Sequence, residues 1–197
     1  VYKRQDWARA SAPITVTPSN TATAGVCLPT AGAEEFGDMY FFNLFDNHAD
    51  SLSGNYYDPE VAAEIAKIAD KRTVRMVDHY TALTPVNDGF EVGMTYANYN
   101  INVYTKNPQR YIQELAEYQA AANQNGFEDV TLGAFEINSG DYTGQIMVVI
   151  QAPTAVRLGE FFDAGEEAWN VAASAKFPKL RKLKRGFLMT CEIVYAR

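Results

Sequence analysis

A run of strict alternation, Asn98 to Thr105 ("NYNINVYT"), limits what this chain can fold into more than any other feature. Tyr99, Ile101 and Val103 fall on one side, and Asn98, Asn100, Asn102 and Tyr104 on the other, which is the period-two signature of a strand. Helix signals follow at once. Asn107 can cap, Pro108 suits a first turn, Tyr111, Leu115, Tyr118 and Ala122 recur at helical spacing, and Gly126 ends the run. A strand over Val130–Ile137, a turn at Asn138–Asp141 and a β-branched strand over Tyr142–Gln151 come next. A long helix over Pro153–Phe177 places Leu158, Phe162, Gly165, Trp169 and Ala172 on one side, and Gly186 opens a last strand, Phe187–Ala196. The order β-α-β-β-α-β predicts a ferredoxin-like unit over residues 90–197.

The preceding residues repeat part of this order. Asp6–Pro13 reads as the tail of a helix, Ile14–Thr17 as a strand, and the stretch from Pro18 to Gly32 as a long connection. Asp38–Phe45 reads as a strand. Asp58–Lys71 reads as a helix capped by Asp58, opened by Pro59 and striped with Val61, Ile65 and Ile68. Val74–Leu83 reads as a strand and Thr84–Gly89 as a linker. The result, α-β-β-α-β, is a unit over residues 6–89 without its first strand and most of its first helix. The polar stretch Ser19–Gly32 is expected to cover the edge this leaves. Residues 1–5, "VYKRQ", are similar to the in-frame translation of a sequencing-library adaptor. They are therefore expected to be non-native, with the gene cut inside its first unit and any leader lying upstream.

Two such units in tandem resemble the dimeric α+β-barrel superfamily in its fused form. The resemblance runs from Asp6 to Arg197 by element order, without a diagnostic motif. The helix start "NPQRYI", Asn107 to Ile112, is similar to that of marine bacterial, metagenome-type proteins. The resemblance implies an α+β fold whose antiparallel sheets form a barrel with helices outside. Members include antibiotic-biosynthesis-type monooxygenases, haem-degrading enzymes, chlorite dismutases and small stress-responsive proteins, so the fold alone assigns no activity.

Charge and motifs narrow the choice. A net charge of −7 argues against generic nucleic-acid binding, which requires a basic surface. "RGFLMTCE", Arg185 to Glu192, matches only the first three positions of the RNA-stacking strand of an RNA-recognition motif. No apolar run approaches the roughly 20 residues a membrane-spanning helix needs. Neither a nucleophile elbow nor a Walker or dinucleotide loop occurs. "KFPKLRKLKR", Lys176 to Arg185, holds six bases and no acid, either as a solvated turn or as a contact for an anionic partner. Cys27 and Cys191 lack zinc-site spacing. They are a disulfide in an exported protein or two small buried hydrophobes in a cytoplasmic one, and the compartment stays open.

The strand faces suggest where chemistry would sit. If Ile101 and Val103 meet the helices, then Asn100, Asn102 and Tyr104 line the barrel. The expected neighbour adds Gln145, Met147, Val149 and Gln151, and the last strand adds Thr190 and Glu192. Amides, a phenol and a carboxylate suit the binding of a polar small molecule. Several buried amides on one wall are costly without partners, so a hydrated cavity bordered by Asn100, Asn102 and Gln145 is expected. The alternative is that the amides bond one another across a water-filled face. His48 and His79 are candidate haem or metal ligands or general bases, and Asp46 shares a strand face with His48. No third ligand is evident, so no cofactor is expected, with haem as the alternative. The chain reads as a small-molecule-binding or structural barrel, or alternatively as an oxygenase or isomerase of the superfamily.

Overall fold

Strand β4 (Thr95–Tyr104) lies at the centre of the molecule, paired antiparallel with β6 (Ile146–Ala152) on one side and β7 (Lys182–Ala196) on the other. The computed structural model describes residues 2–54, 57–86 and 89–197. Val1 of the expected adaptor and Asn87 and Asp88 of the expected linker lie outside them. The sheet is a single curled, fully antiparallel one, a half-barrel of seven strands in the order β2-β1-β7-β4-β6-β5-β3. Here β1 is Thr23–Ala31, β2 Tyr40–Leu44, β3 Tyr80–Ala82 and β5 Thr131–Ile137. The fold is α+β, and strands from both halves of the chain join one sheet.

Each face of β4 has its own core. On the outer face Ala97, Ile101 and Val103 join Ile146, Val148 and Ile150 of β6 beneath α4 (Pro108–Gln124) and α5 (Ala155–Asp163). Tyr111, Leu115, Tyr118 and Ala122 are the buried stripe of α4, its start is capped by Asn107, and Gly126 follows its end at a φ of 85°. Burial of several branched side chains at ~1.5–3 kcal/mol each supplies most of this layer's stability. A second outer core lies under α1 (Tyr2–Thr15). The small residues Ala8 and Ala12 let this helix approach Ala24, Val26 and Val194 on β1 and β7. The concave face holds Cys27, Tyr96, Phe187, Met189, Cys191 and Ile193, with Tyr40, Phe42 and Phe90 packed against them. Cys27 and Cys191 face each other across β1 and β7 and are joined as a disulfide.

Five elements depart from the sequence reading. The last strand, β7, begins at Lys182 and runs through Gly186, which does not open it. Ile14–Thr17 is not a strand: Ile14 and Thr15 finish α1, and the Val16 amide still donates to Ala12 O at 3.1 Å. The stretch from Pro18 to Gly32 is not a connection covering an edge. It contains β1, whose polar and small residues hid a strand that pairs along nearly its whole length with β7. At its end the φ of Gly32 is 74°, and a Cβ there would stand 2.5 Å from Gly186 O, so only glycine allows the two backbones this approach. Of the expected strand Val74–Leu83, only Tyr80–Ala82 is in a ladder. The expected long helix Pro153–Phe177 is three short ones, α5, α6 (Ala168–Ser174) and α7 (Phe177–Leu180). Thr154 caps α5, a 3-10 turn over Ala164–Glu166 follows it, and Glu167 turns extended at ψ 146°, which separates α5 from α6.

Candidate functional site

Register decides which side chains share the concave face. Asn98 lies opposite Gln151 and Met189, Asn100 opposite Val149 and Phe187, and Asn102 opposite Met147 and Arg185. Ile101 and Val103 point the other way, into the outer core. The structure thus brings Asn100, Asn102, Met147 and Gln151 to one face, with Gln145 just beyond the start of β6. Asn98, not singled out in the sequence, belongs with them by the same alternation.

These amides are covered: Asn98, Asn100 and Asn102 are 7%, 6% and 4% exposed. Their N–H groups reach sulfur, with Asn98 Nδ2 3.8 Å from Cys191 Sγ and Asn100 Nδ2 donating to Met147 Sδ at 3.4 Å. Their oxygens do not find donors. Asn98 Oδ1, Asn100 Oδ1, Asn102 Oδ1 and Gln145 Oε1 are buried without a hydrogen-bond partner. An orphaned buried acceptor costs ~1–3 kcal/mol, so this face is a local reservoir of unfavourable free energy.

Above Asn102 the face ends in a charged cluster. The Arg185 guanidinium donates to Glu34 at 2.6 Å and to Tyr40 Oη at 2.9 Å, and lies 4.7 Å over the Phe187 ring. Tyr142 Oη donates to the same Glu34 carboxylate at 2.8 Å, which raises the phenol above its ordinary value. Nearby, Tyr80 Oη is 3.4 Å from Asp78 Oδ2. Burial raises Tyr80, helped by the Asp78 charge, and burial likewise raises Asp78. Asp78 Oδ1 is buried and unpartnered. The loop from Gly32 to Asp38 carries Glu34 here and is anchored by Arg75, whose Nη2 sits 2.5 Å from Asp38. Sequence reading missed this cluster because its members come from β2, β3, β7 and three loops, and no local pattern joins them.

Other expected site residues lie elsewhere. Glu192 and Thr190 stand opposite Thr95 and Ala97, so they belong to the outer face. Glu192 is held there by both its oxygens in a 2.7 Å fork with Arg9 of α1. The assumed register was off by one residue, which turns every side chain to the other face. Tyr104 falls at the strand's end, after an irregularity between Asn102 and Val103, and is exposed. Asp46 and His48 do not share a strand face: Asp46 follows β2 and binds Arg197, and His48 opens a short helix, α2 (His48–Ser53). His48 instead meets His79, with ring centroids 5.4 Å apart, and His79 Nδ1 is 3.4 Å from Asn138 Nδ2. Among the described residues no group of three or more His, Cys, Asp or Glu is arranged to hold a metal ion.

Two clefts open on the helix side. One lies between the sheet and α4 and α7, lined by Ile101, Leu115, Tyr118 and Phe177, and the other lies at Leu83, Pro108 and Ile112. Neither borders Asn100, Asn102 or Gln145, so they do not provide the wide cavity expected at the amides. Half of the basic segment's charges are tied down: Lys176 bridges Glu114 and Glu117, Arg181 donates to Tyr111 Oη and Arg185 binds Glu34. No helix among the described residues is long and apolar enough to cross a membrane.

No family model matches this chain, and no curated protein matches it. Solved structures do. A monooxygenase-like protein from Lactobacillus acidophilus NCFM superposes with a TM-score of 0.56 at 11% identity, covering 98% of this chain and 89% of that one. An anthrone oxidase-like protein superposes with a TM-score of 0.55 at 13% identity, covering 100% and 87%. At these identities the likeness is one of fold, of the α+β-barrel type.

Proposed function

We propose that the concave face of the sheet binds a small molecule rich in hydrogen-bond donors. One observation carries this reading: four amide oxygens, on Asn98, Asn100 and Asn102 of the concave face and on Gln145 next to β6, are buried without donors. The amide N–H groups of Asn98 and Asn100 are turned to sulfur, so what the face lacks is a donor and not an acceptor. A hydroxylated ring or a polyol supplies donors at several points and brings apolar edges to meet Phe187 and Met189. The Arg185–Glu34–Tyr142 cluster at the rim then orients the polar end of the ligand. The test is calorimetric titration and thermal shift with a panel of phenols and polyols, and with anthrone, a ketone that offers an O–H only as its enol tautomer. The paired substitution Asn100→Leu with Asn102→Leu should abolish any binding while leaving the fold intact. Binding unchanged in that variant, or binding by no member of the panel, overturns the reading.

A second reading, oxidation of the bound molecule, rests on Asp78. Its carboxyl is raised by burial, carries an unpartnered oxygen and lies beside Tyr80, which suits a base that takes a proton from an activated C–H. The neighbours' names favour the same class. Oxygen uptake with anthrone as substrate tests it: Asp78→Asn should suppress turnover with binding retained. This reading uses no haem. A Soret shift on adding haem that vanishes in His48→Ala or His79→Ala would replace it by a haem-dependent one. The Cys27–Cys191 disulfide favours work in an oxidising compartment.

A further inference from the structure

Strand direction alternates at every step from β2 through β1, β7, β4, β6 and β5 to β3. With seven strands the two edges, β2 and β3, run parallel to each other, so no antiparallel pairing between them can close the half-barrel. One strand antiparallel to both would close it. Residues 95–196 show how such a strand sits. There the first strand, β4, lies between the third, β6, and the fourth, β7, and passes through Thr105–Asn107 into α4. The earlier elements α1, β1, β2, the helices α2 and α3 (Pro59–Ala66) together, and β3 follow the same order from its first helix onward. The place matching β4 is between β2 and β3, the two edges without a neighbour.

Both edges carry the composition of covered strands. Tyr40, Phe42 and Tyr80 belong to the concave face, whereas Phe41 on β2 is exposed. Residues 74–79 join no ladder, and their two β-branched residues, Val74 and Val77, are 56% and 64% exposed. Side chains span the gap, Arg75 to Asp38 and His48 against His79, and among the described residues no backbone ladder joins β2 to β3. β2 and β3 are short, but unpaired backbone groups beside apolar side chains are what sheets normally pair or cover.

We propose that the gap between β2 and β3 is the seat of one further β-strand, antiparallel to both and delivered at the amino end of α1. Its inward residues meet Tyr40, Phe42 and Tyr80, and its backbone pairs β2 on one side and residues 74–82 on the other.

The test appends a copy of Thr95–Thr105, the strand that fills the matching place, directly before α1, and follows amide hydrogen exchange. Exchange should slow by about tenfold or more in both 40–44 and 74–82, in a monomer, and not with an appended segment carrying Pro at alternate positions. Protection at neither edge, or at one edge only, overturns the proposal. So does protection of both edges in the unmodified chain that grows with concentration, since the occupant is then a second copy. If the appended chain does not fold, the free 95–105 peptide added to the unmodified chain gives the same reading, and no protection with that peptide counts against the seat.

Discussion

Residues 95–196 and residues 2–82 contain similar elements, but their strands differ sharply in length. β4 and β7, each paired on both sides, run over 10 and 15 residues, whereas β2 and β3, paired on one side, run over 5 and 3. Val74–Leu83 has as good a strand composition as Asn98–Thr105, yet most of it joins no ladder. Strand propensity is a fit to a half-buried pleated surface, and without a neighbour on each side that surface does not exist. The later region is held by its own core. The earlier one is held by α1, by the disulfide and by the edges of the later one.

The largest effect should come from cutting the link between the two regions. Cys27 and Cys191 lie 164 residues apart in sequence. In the chain-entropy view a cross-link over so long a loop is worth about 4–5 kcal/mol. Cys27→Ser with Cys191→Ser should lower the urea midpoint accordingly and free β1 first, seen as early loss of exchange protection in 23–31. Uniform loss across both regions would show that they unfold as one unit.

Next is a contrast within the sheet. Ile146→Ala, in the buried outer core, should cost about 2–4 kcal/mol, and Phe41→Ala, on the exposed edge, under about 1 kcal/mol. Comparable costs would mean that the β2 edge is as tightly packed as the centre. Arg185→Met should cost about 1–2 kcal/mol, reduced by the partial exposure of Glu34, because it strips Glu34 and Tyr40 of a donor. Equilibrium unfolding of each variant reads these values.

The smallest expected effect depends on pH. Burial raises the Asp78 carboxyl in the folded chain, so folding is disfavoured where the unfolded chain has already ionised. The parent therefore loses stability as pH rises from about 4, the ordinary carboxyl value, through the raised folded value, and Asp78→Asn does not. The variant should match the parent in acid and exceed it near neutrality. A variant weaker than the parent at neutral pH would show that the Asp78 charge is favourably placed.

Much of the later region is legible in the chain itself. The alternation at 98–105, the cap at Asn107, the stripe of α4 and the sorting of Ile101 and Val103 away from Asn100 and Asn102 follow from periodicity. Each rests on contacts within a few residues or on one face of one element. The earlier region is less legible because its strands are weakly patterned. β1, "TAGVCLPTA", has small and polar residues and a proline where a strand is usually read from branched ones.

The sequence by itself determined the run of elements from β4 to β6, the start and end of α4, the two faces of the central strand and the absence of a local catalytic motif. All of these are encoded in short-range spacing and in side-chain chemistry. Only the tertiary structure decided register, and register decided which side chains share the concave face. It turned Glu192 outward to Arg9, set Arg185 level with Asn102, and joined Cys27 to Cys191. It also gathered Glu34, Tyr40, Tyr80 and Tyr142 from distant segments around one guanidinium. A shift of one residue between strands leaves every local signal unchanged and exchanges the faces, so this information exists only in the pairing of strands far apart in the chain.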